Sequence, residues 1–417
     1  MSDKKNSTRR EFLKSSSAAA GVALAGGLSI TRSAHAQGSG ELKAVLIGCG
    51  GRGSGAAGNF LKNPNTKIVA VADAFEDKAK GAAGRYKLSP EAAFWGFDGY
   101  RKAISVDCDM CIIATPPGFR PIHHKAAIEA GKHVFMEKPC CTDAPGFNML
   151  METNKLADEK GLKVGVGLQR RHQASYTQGI KEIRDGKYGD IMFTRVYWNG
   201  GGVWVRGGGA TPMENQMRNW YYFVWLCGDH ICEQHVHNLD IGNWVMDDHP
   251  VEANAMGGRE VRKGKMEFGQ IFDHHFVEYT YADGRKMYSQ CRHIRGCWSS
   301  VSEAAHGTKG SGGVSSRGRG ANPYDQEHTD LIAAIKNNEK YNEGWYGATS
   351  SMTAVLGRMA SYSGQVVKWD DALEKGPAEM IYENHDQLTM ESTPPVVPGE
   401  DGTYEDSVPV PGVYRAY

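Results

Sequence analysis

The sequence is poor in three things, and each shortage removes a class of reading. Neither sign of charge is in excess: 48 Lys and Arg stand against 48 Asp and Glu. Such a chain lacks the basic footprint that holds phosphate backbones or anionic lipid, so neither nucleic acid nor a membrane surface is expected as its main partner. Long apolar runs are missing too. The small, apolar stretch Ala18–Ala25 is interrupted at Gly26 and Gly27, short of the ~20 residues that a membrane-spanning helix needs, and no later segment comes close. Finally, there is no cysteine framework. The nine cysteines are odd in number and scattered, and Cys49 and Cys111 fall in apolar segments where small buried thiols are ordinary, so a dense disulfide scaffold is not expected. No internal repeat is present.

What is present starts at the N-terminus. Ser7-Thr8-Arg9-Arg10-Glu11-Phe12-Leu13-Lys14 has the form of a twin-arginine export signal, followed by the apolar stretch and the small-x-small site Ala34-His35-Ala36. Residues 1–36 are expected to be a signal peptide, and the protein is expected in the periplasm. Cleavage there removes six Lys/Arg and two Asp/Glu and leaves 381 residues with a net charge near −4, enough chain for two domains. The twin-arginine route carries folded proteins, which suits a cargo that acquires a cofactor before it crosses.

That cofactor is written into the next segment. Residues 42–48 read as an apolar strand that runs into Gly48-Cys49-Gly50-Gly51-Arg52-Gly53, and a helix follows to about Leu61. In a G-x-G-x-x-G turn the first glycine permits the tight bend, the second lets backbone approach a pyrophosphate, and the third allows close helix–strand packing. The helix start then offers free N–H groups and the positive end of its dipole. A second strand, Lys67–Asp73, ends in an acid 20 residues beyond Gly53, where a carboxylate accepts the ribose hydroxyls of NAD and repels the 2′-phosphate of NADP. The alternation continues through strands at Asp109–Ala114, Gly131–Met136 and Lys163–Gly167. The third of these five strands leads into Thr115-Pro116-Pro117 and the fourth into Glu137-Lys138-Pro139. Ligands of open α/β sheets collect at such strand ends, so Thr115, Pro116, Glu137 and Lys138 are expected against the cofactor.

Together with Gly165-Val166-Gly167-Leu168-Gln169-Arg170-Arg171, Glu233-Gln234-His235-Val236-His237-Asn238-Leu239-Asp240 and His306-Gly307-Thr308-Lys309-Gly310, these motifs resemble the glucose–fructose oxidoreductase/inositol dehydrogenase/MocA family, in its exported branch. The resemblance spans about residues 42 to 370. It implies an α/β protein with an N-terminal Rossmann domain (41–168) and a C-terminal α/β domain (169–388) built on a large, mostly antiparallel sheet often used for oligomerisation. A proline-rich tail (389–417) follows. The resemblance also implies central roles for Lys138 and His237. Two departures stand out: Glu233 replaces the Asp that many relatives carry four residues before the His, and Arg120 stands about where many relatives have a His, with His123 and His124 following. No role is transferred to those histidines.

If Ile231–Met246 is one helix, Glu233, His237 and Asp240 share a face at i, i+4 and i+3 spacing. Oxidation of an alcohol needs a base for the hydroxyl proton, which His237 suits, and a donor for developing alkoxide charge, which Lys138 suits. Asp240 or Glu233 is expected to orient the imidazole. Cys227, His230, Cys232, His235 and His237 form a dense cluster that could suggest zinc, but ligands so spaced on a helix cannot all converge on one ion, so no metal is expected. Aromatic residues crowd before this helix; Trp220 and Tyr221 suit sugar faces, and Gln169 and Arg171 are expected to reach the cleft. Residues 307–322 are rich in Gly, Ser and Arg; Gly307-Thr308-Lys309-Gly310 matches a family turn in the sheet, and the rest reads as a mobile loop, either a lid or a plain hairpin excursion. The expected function is NAD-dependent oxidation of a sugar, sugar derivative or polyol with the cofactor recycled in place. A redox-neutral NAD-dependent glycosidase is the alternative, and a non-catalytic sugar or nucleotide sensor the remotest reading.

Overall fold

Strong apolar runs separated by glycine turns form the first sheet. The structure, a computed structural model, describes residues 40–318 and 320–417, so the expected signal peptide lies outside the described residues. In chain order the first half comprises β1 (Leu42–Ile47), α1 (Gly51–Leu61), β2 (Thr66–Asp73), α2 (Glu76–Arg85), β3 (Ala93–Trp95), α3 (Gly99–Ile104), β4 (Met110–Ile113), α4 (Arg120–Glu129), β5 (His133–Met136), α5 (Ala144–Glu159) and β6 (Val164–Val166). The strands pair in the order β3-β2-β1-β4-β5-β6, every pair parallel. All four residues of β4 and five of six in β1 are buried, as a parallel sheet covered on both faces requires. Strand order reverses between β1 and β4, and the carboxyl ends of these two strands open the crevice where such sheets bind ligands.

The second half holds α6 (Ala174–Arg184), β7 (Ile191–Gly200), α7 (Pro212–Arg218), α8 (Val224–Cys227), α9 (His230–Glu233), α10 (Val236–Met246), β8 (Pro250–Gly258), β9 (His274–Tyr281), β10 (Lys286–His293), β11 (Ser300–Gly307), β12 (Gly310–Gly313), α11 (Pro323–Asn337), α12 (Gly344–Ser363), β13 (Val367–Lys368) and α13 (Trp369–Lys375). Its sheet runs β12-β11-β7-β10-β9-β8-β13 and is mixed: only β7–β10 is parallel. Burial alternates residue by residue along β9 and β10, so one face packs inward and the other does not. On the inner face α10 covers β7 and β11 while α12 covers β8 and β9. The α/β class, with a Rossmann sheet and a second, mostly antiparallel sheet, is as the sequence led one to expect.

One local expectation changes, and two further segments take definite form. The helix expected over Ile231–Met246 is two helices, α9 and α10, separated at Gln234 and His235. Both residues are tethered to β10, Gln234 Oε1 to His293 Nε2 (2.8 Å) and His235 Nε2 to Ser289 Oγ (2.7 Å). Successive side chains on a continuous helix diverge by about 100°, so both cannot reach one strand without a break. The stretch 307–322 contains β12, which closes a hairpin on β11. The proline-rich tail packs on its own chain: Gln216 Nε2 donates to Val396 O (2.5 Å) and to the hydroxyl of buried Tyr404 (3.2 Å).

Candidate active site

The crevice at the strand-order reversal is a cavity of about 440 Å³. Gly48, Gly50, Gly51, Arg52, Gly53, Asp73, Thr115, Pro116, Glu137 and Lys138 all line it, as do Trp220, Tyr221, Glu233 and His237. Gly48 has φ +96°, and a Cβ there would lie 2.6 Å from the Ala114 backbone; one on Gly53 would lie 1.8 Å from the Gly48 carbonyl oxygen. Around Gly50 and Gly51, by contrast, a Cβ would meet nothing within 4 Å. The turn is thus packed tightly against its own sheet while its outer edge stays open. α1 has Gly50 as its N-cap, with no side-chain cap and no acidic residue in its first turn, leaving its N–H groups and positive dipole end for an anion.

Asp73 closes the β2 end of this wall. Its Oδ2 accepts from Cys49 N–H (2.7 Å) and its Oδ1 from Phe75 N–H (3.0 Å). Burial pushes the carboxyl up from the usual range, and these two backbone N–H bonds oppose that rise. Arg52 Nε pairs with Glu137 Oε1 at 2.8 Å, and its guanidinium lies 5.0 Å from the Tyr324 ring on α11. The geometry fits a dinucleotide: an open helix terminus for pyrophosphate and a fixed acceptor one strand away for a ribose.

At the other end, Lys138 and Glu233 meet. Lys138 Nζ donates to the Glu233 carbonyl (2.5 Å) and to its Oε1 (3.2 Å). His237, in the first turn of α10, stacks on Trp198 with ring centroids 6.0 Å apart. Its Nδ1 is buried without a partner, so the other nitrogen is the one available to the cleft. Burial, reinforced by the charges of Lys138 and Arg170, pushes the imidazole well below its usual range. His237 is therefore neutral, a proton acceptor beside a cation. Trp198, Trp204, Trp220 and Tyr221 line this end, with Trp204 and Trp220 edge to face at 5.8 Å.

Other expected residues are elsewhere. The Asp240 carboxylate is engaged away from the His237 imidazole: both its oxygens accept from Arg171 (2.8–3.1 Å), and Oδ1 also accepts from Ser350 on α12 (2.8 Å). His237 and Asp240 share α10, but Arg171 and Ser350 take up the Asp240 carboxylate in place of the imidazole it was expected to orient. Arg171, sandwiched between Trp244 and Tyr346, borders a separate shallow cavity and not the crevice. Gln169 donates to the Tyr324 hydroxyl (3.1 Å) and does not line the crevice either. Of the expected orienting acids, only Glu233 stands in the cleft.

Several cleft residues carry no role in the sequence reading, among them Arg120, His123 and Gln234. Buried Arg120 donates to Thr115 O (2.9 Å) and Pro139 O (2.6 Å), tying the two cofactor-side turns together. His123 contacts Thr115 Oγ1 through Nδ1 (3.1 Å), and burial pushes it down to about 3. The available signal was an arginine in an otherwise apolar turn. Gln234 also lines the cleft, next to Glu233 in the chain. The Cys/His cluster separates on folding. Among the described residues the group with metal-compatible spacing is Asp229, His230 and His275. The Asp229 carboxylate in it is already engaged by His230 Nδ1 (2.7 Å), Tyr362 Oη (2.5 Å) and Phe272 N (3.0 Å).

Comparison with known proteins agrees with this geometry. Residues 42–168 match the GFO_IDH_MocA profile, described as an oxidoreductase family with an NAD-binding Rossmann fold. The chain is 24% identical over 265 residues to an inositol 2-dehydrogenase of Rhizobium meliloti, covering 64% of this chain and 73% of that one. It is 29% identical over 155 residues to a glycosyl hydrolase family 109 protein of Streptomyces coelicolor, covering 36% and 32%. In fold it is similar to scyllo-inositol dehydrogenase from Lactobacillus casei, solved with NAD(H) and scyllo-inositol (TM-score 0.61, 18% identity, 79% of this chain and 99% of that one). Residues 42–168 thus match the NAD-binding Rossmann domain of the Gfo/Idh/MocA oxidoreductase family, the proteins similar to this chain include inositol dehydrogenases, and the chain is an NAD-dependent enzyme.

Proposed function

We propose that the chain is an exported oxidoreductase that takes hydride from a hydroxyl-bearing carbon of a sugar, sugar derivative or polyol, with a tightly bound NAD recycled in the same site. The observation that carries the reading is the meeting of Lys138, Glu233 and neutral His237 at the aromatic end of a dinucleotide cleft. NAD would be held by the Gly48–Gly53 turn, the α1 terminus and Asp73, and when bound it supplies the hydride acceptor. The remaining steps belong to side chains. His237 takes the hydroxyl proton on its cleft-facing nitrogen as the carbon–oxygen double bond forms. Lys138 donates to the same oxygen and stabilises its developing charge. Glu233 holds the ammonium in place through two contacts. Trp198, Trp204, Trp220 and Tyr221 offer apolar ring faces to the substrate.

Export rests on Arg9-Arg10 and the Ala34-His35-Ala36 site; among the described residues no helix is long and apolar enough to cross a membrane. Retention of the cofactor is favoured by contacts that bridge the cleft from the second half of the chain: Arg218 lies 4.9 Å from the Phe75 ring, and Tyr324 lies over Arg52. A homo-oligomer formed through the second sheet fits Met256, Phe276 and Trp298, which are 73%, 36% and 63% exposed. The similarity to a glycosyl hydrolase family 109 protein favours a second reading. In it, transient oxidation acidifies a neighbouring C–H, the glycosidic bond leaves by elimination, water adds, and the alcohol is restored. The near-ultraviolet absorbance of reduced nicotinamide, followed as purified protein meets free sugars and glycosides without added cofactor, separates the two. A signal that persists until a second carbonyl compound arrives supports the oxidoreductase; one that decays alone as aglycone is released supports the glycosidase. No signal with any sugar overturns both.

A further inference from the structure

Behind the aromatic end of the cleft lies a buried polar chain whose hydrogen bonds run in only one direction. It starts at Arg262, 4% exposed, whose guanidinium donates to Phe272 O and, through Nη2, to His293 Nδ1 (2.7 Å). An arginine has donors only, so His293 Nδ1 must be the acceptor. His293 is itself buried and its imidazole is held down in the neutral form, burial being the largest cause and the charges of His230 and Arg262 adding to it. A neutral imidazole that accepts at Nδ1 carries its hydrogen at Nε2. That Nε2–H faces the side chain of Gln234 at 2.8 Å, and the amide atom it meets must be the carbonyl oxygen. The Gln234 amide nitrogen is thereby turned the other way. It has no protein partner among the described residues, is not occluded, and belongs to a residue that lines the crevice.

We propose that Gln234 is a specificity-determining residue whose NH2 group donates to a substrate oxygen beside the reacting hydroxyl, its polarity set by the Arg262–His293 pair behind it. The inference rests on the oxidoreductase reading above and deepens it. Gln234 follows Glu233, which holds Lys138, and its backbone carbonyl accepts from His237 N–H (3.3 Å). Proton acceptor, oxyanion donor and amide donor therefore sit on one short segment and the lysine bound to it. Such a set matches a vicinal diol: one hydroxyl gives its proton to His237 and leans on Lys138, while its neighbour accepts from Gln234. A substrate that lacks the neighbouring oxygen leaves two amide hydrogens facing a partner that cannot accept them.

The test separates donation to substrate from a structural bond to His293. In Gln234→Glu the carboxylate still accepts from His293 Nε2–H but offers no donor. Gln234→Met removes the donor without adding charge. KM and kcat are measured for myo-inositol, scyllo-inositol and D-glucose with a second carbonyl compound present to reoxidise the bound cofactor, and NAD affinity is measured separately by fluorescence titration. For whichever polyol the wild type oxidises, both variants should raise KM roughly 10- to 100-fold while kcat stays within about threefold and NAD affinity is unchanged. A wild-type KM in Gln234→Glu overturns the proposal, because the bond to His293 would then be the residue's whole role. A wild-type KM in Gln234→Met also overturns it, leaving charge repulsion as the cause of any loss in the other variant. If the wild type binds NAD yet oxidises none of the three polyols, the oxidoreductase reading falls and this inference falls with it.

Discussion

The two walls of the cleft are built by opposite routes. The cofactor wall is made by backbone at the ends of parallel strands: Gly53 packs on the Gly48 carbonyl, Gly48 on the Ala114 backbone, and Asp73, 24 residues after Cys49, is fixed by the N–H of that turn. The chemical wall is made at long range: Lys138 meets Glu233 across 95 residues, and Gln234 is oriented by residues from beyond α10. A wall of the first kind is a property of backbone geometry, and only glycine fits its close approaches. A wall of the second kind is a property of which side chains the second sheet brings together.

The largest expected effect falls on the chemical wall. Lys138→Ala removes both the donor to the reacting oxygen and the cation beside His237, and should lower kcat about 10⁴-fold with NAD affinity nearly unchanged. Steady-state kinetics alongside a cofactor titration measure both. Activity near wild type would place the chemistry elsewhere in the cleft.

A smaller effect separates the site from its frame. Asp240 stands 1% exposed and bound by Arg171 and Ser350, so Asp240→Ala should cost stability first. Removing one partner of such a buried pair costs about 3–5 kcal/mol, to be read from urea unfolding. A variant as stable as the wild type but devoid of turnover would return Asp240 to the catalytic set. Smaller again is the effect on the cofactor wall. Asp73→Ala should weaken NAD binding by ~10- to 100-fold, about 1.4–2.8 kcal/mol, and narrow the preference over NADP because the 2′-phosphate is no longer repelled. Unchanged affinity for both would remove its ribose role.

This contrast also explains what was legible. The Rossmann sheet, the glycine turn and Asp73 follow from strand periodicity and turn chemistry within a few dozen residues, and the structure holds them as expected. The Lys138 and His237 positions came from motif resemblance. What failed depended on tertiary anchoring. A helical repeat over Ile231–Met246 is invisible to the two tethers on β10 that break it, and once it breaks, Glu233 and Asp240 part company. Arg171 reads as a cleft residue until Asp240, 69 residues later, is seen to hold it. Gln234 has no local signal at all, since its meaning lies in the protonation of a histidine 59 residues away.

The smallest expected effect on catalysis is its pH dependence, and it tests the chemical wall against the rest of the interior. Burial is the main cause that pushes His123, His235 and His328 down to about 3 and His124 and His230 to about 4, and it lowers His237 and His293 as well. For a histidine held below its unfolded value, the unfolded chain binds a proton that the folded chain refuses. The stability it contributes is therefore present above pH ~6.5 and is lost as pH falls below it, by up to ~1.4 kcal/mol per pH unit for each group. His172 opposes the trend. Burial lowers it, but hydrogen bonding to Glu343 and Asp330 and their charges raise it overall. Melting temperature should therefore fall steadily from pH 7 toward pH 4. Catalysis should not follow it at first. His237 is kept neutral by burial and by Lys138, so kcat/KM per folded molecule should stay flat through the pH range in which a free imidazole titrates. An acid limb near pH 6.5 in that normalised profile, with the protein still folded, would mean that the base in the cleft is not a histidine held neutral by its surroundings.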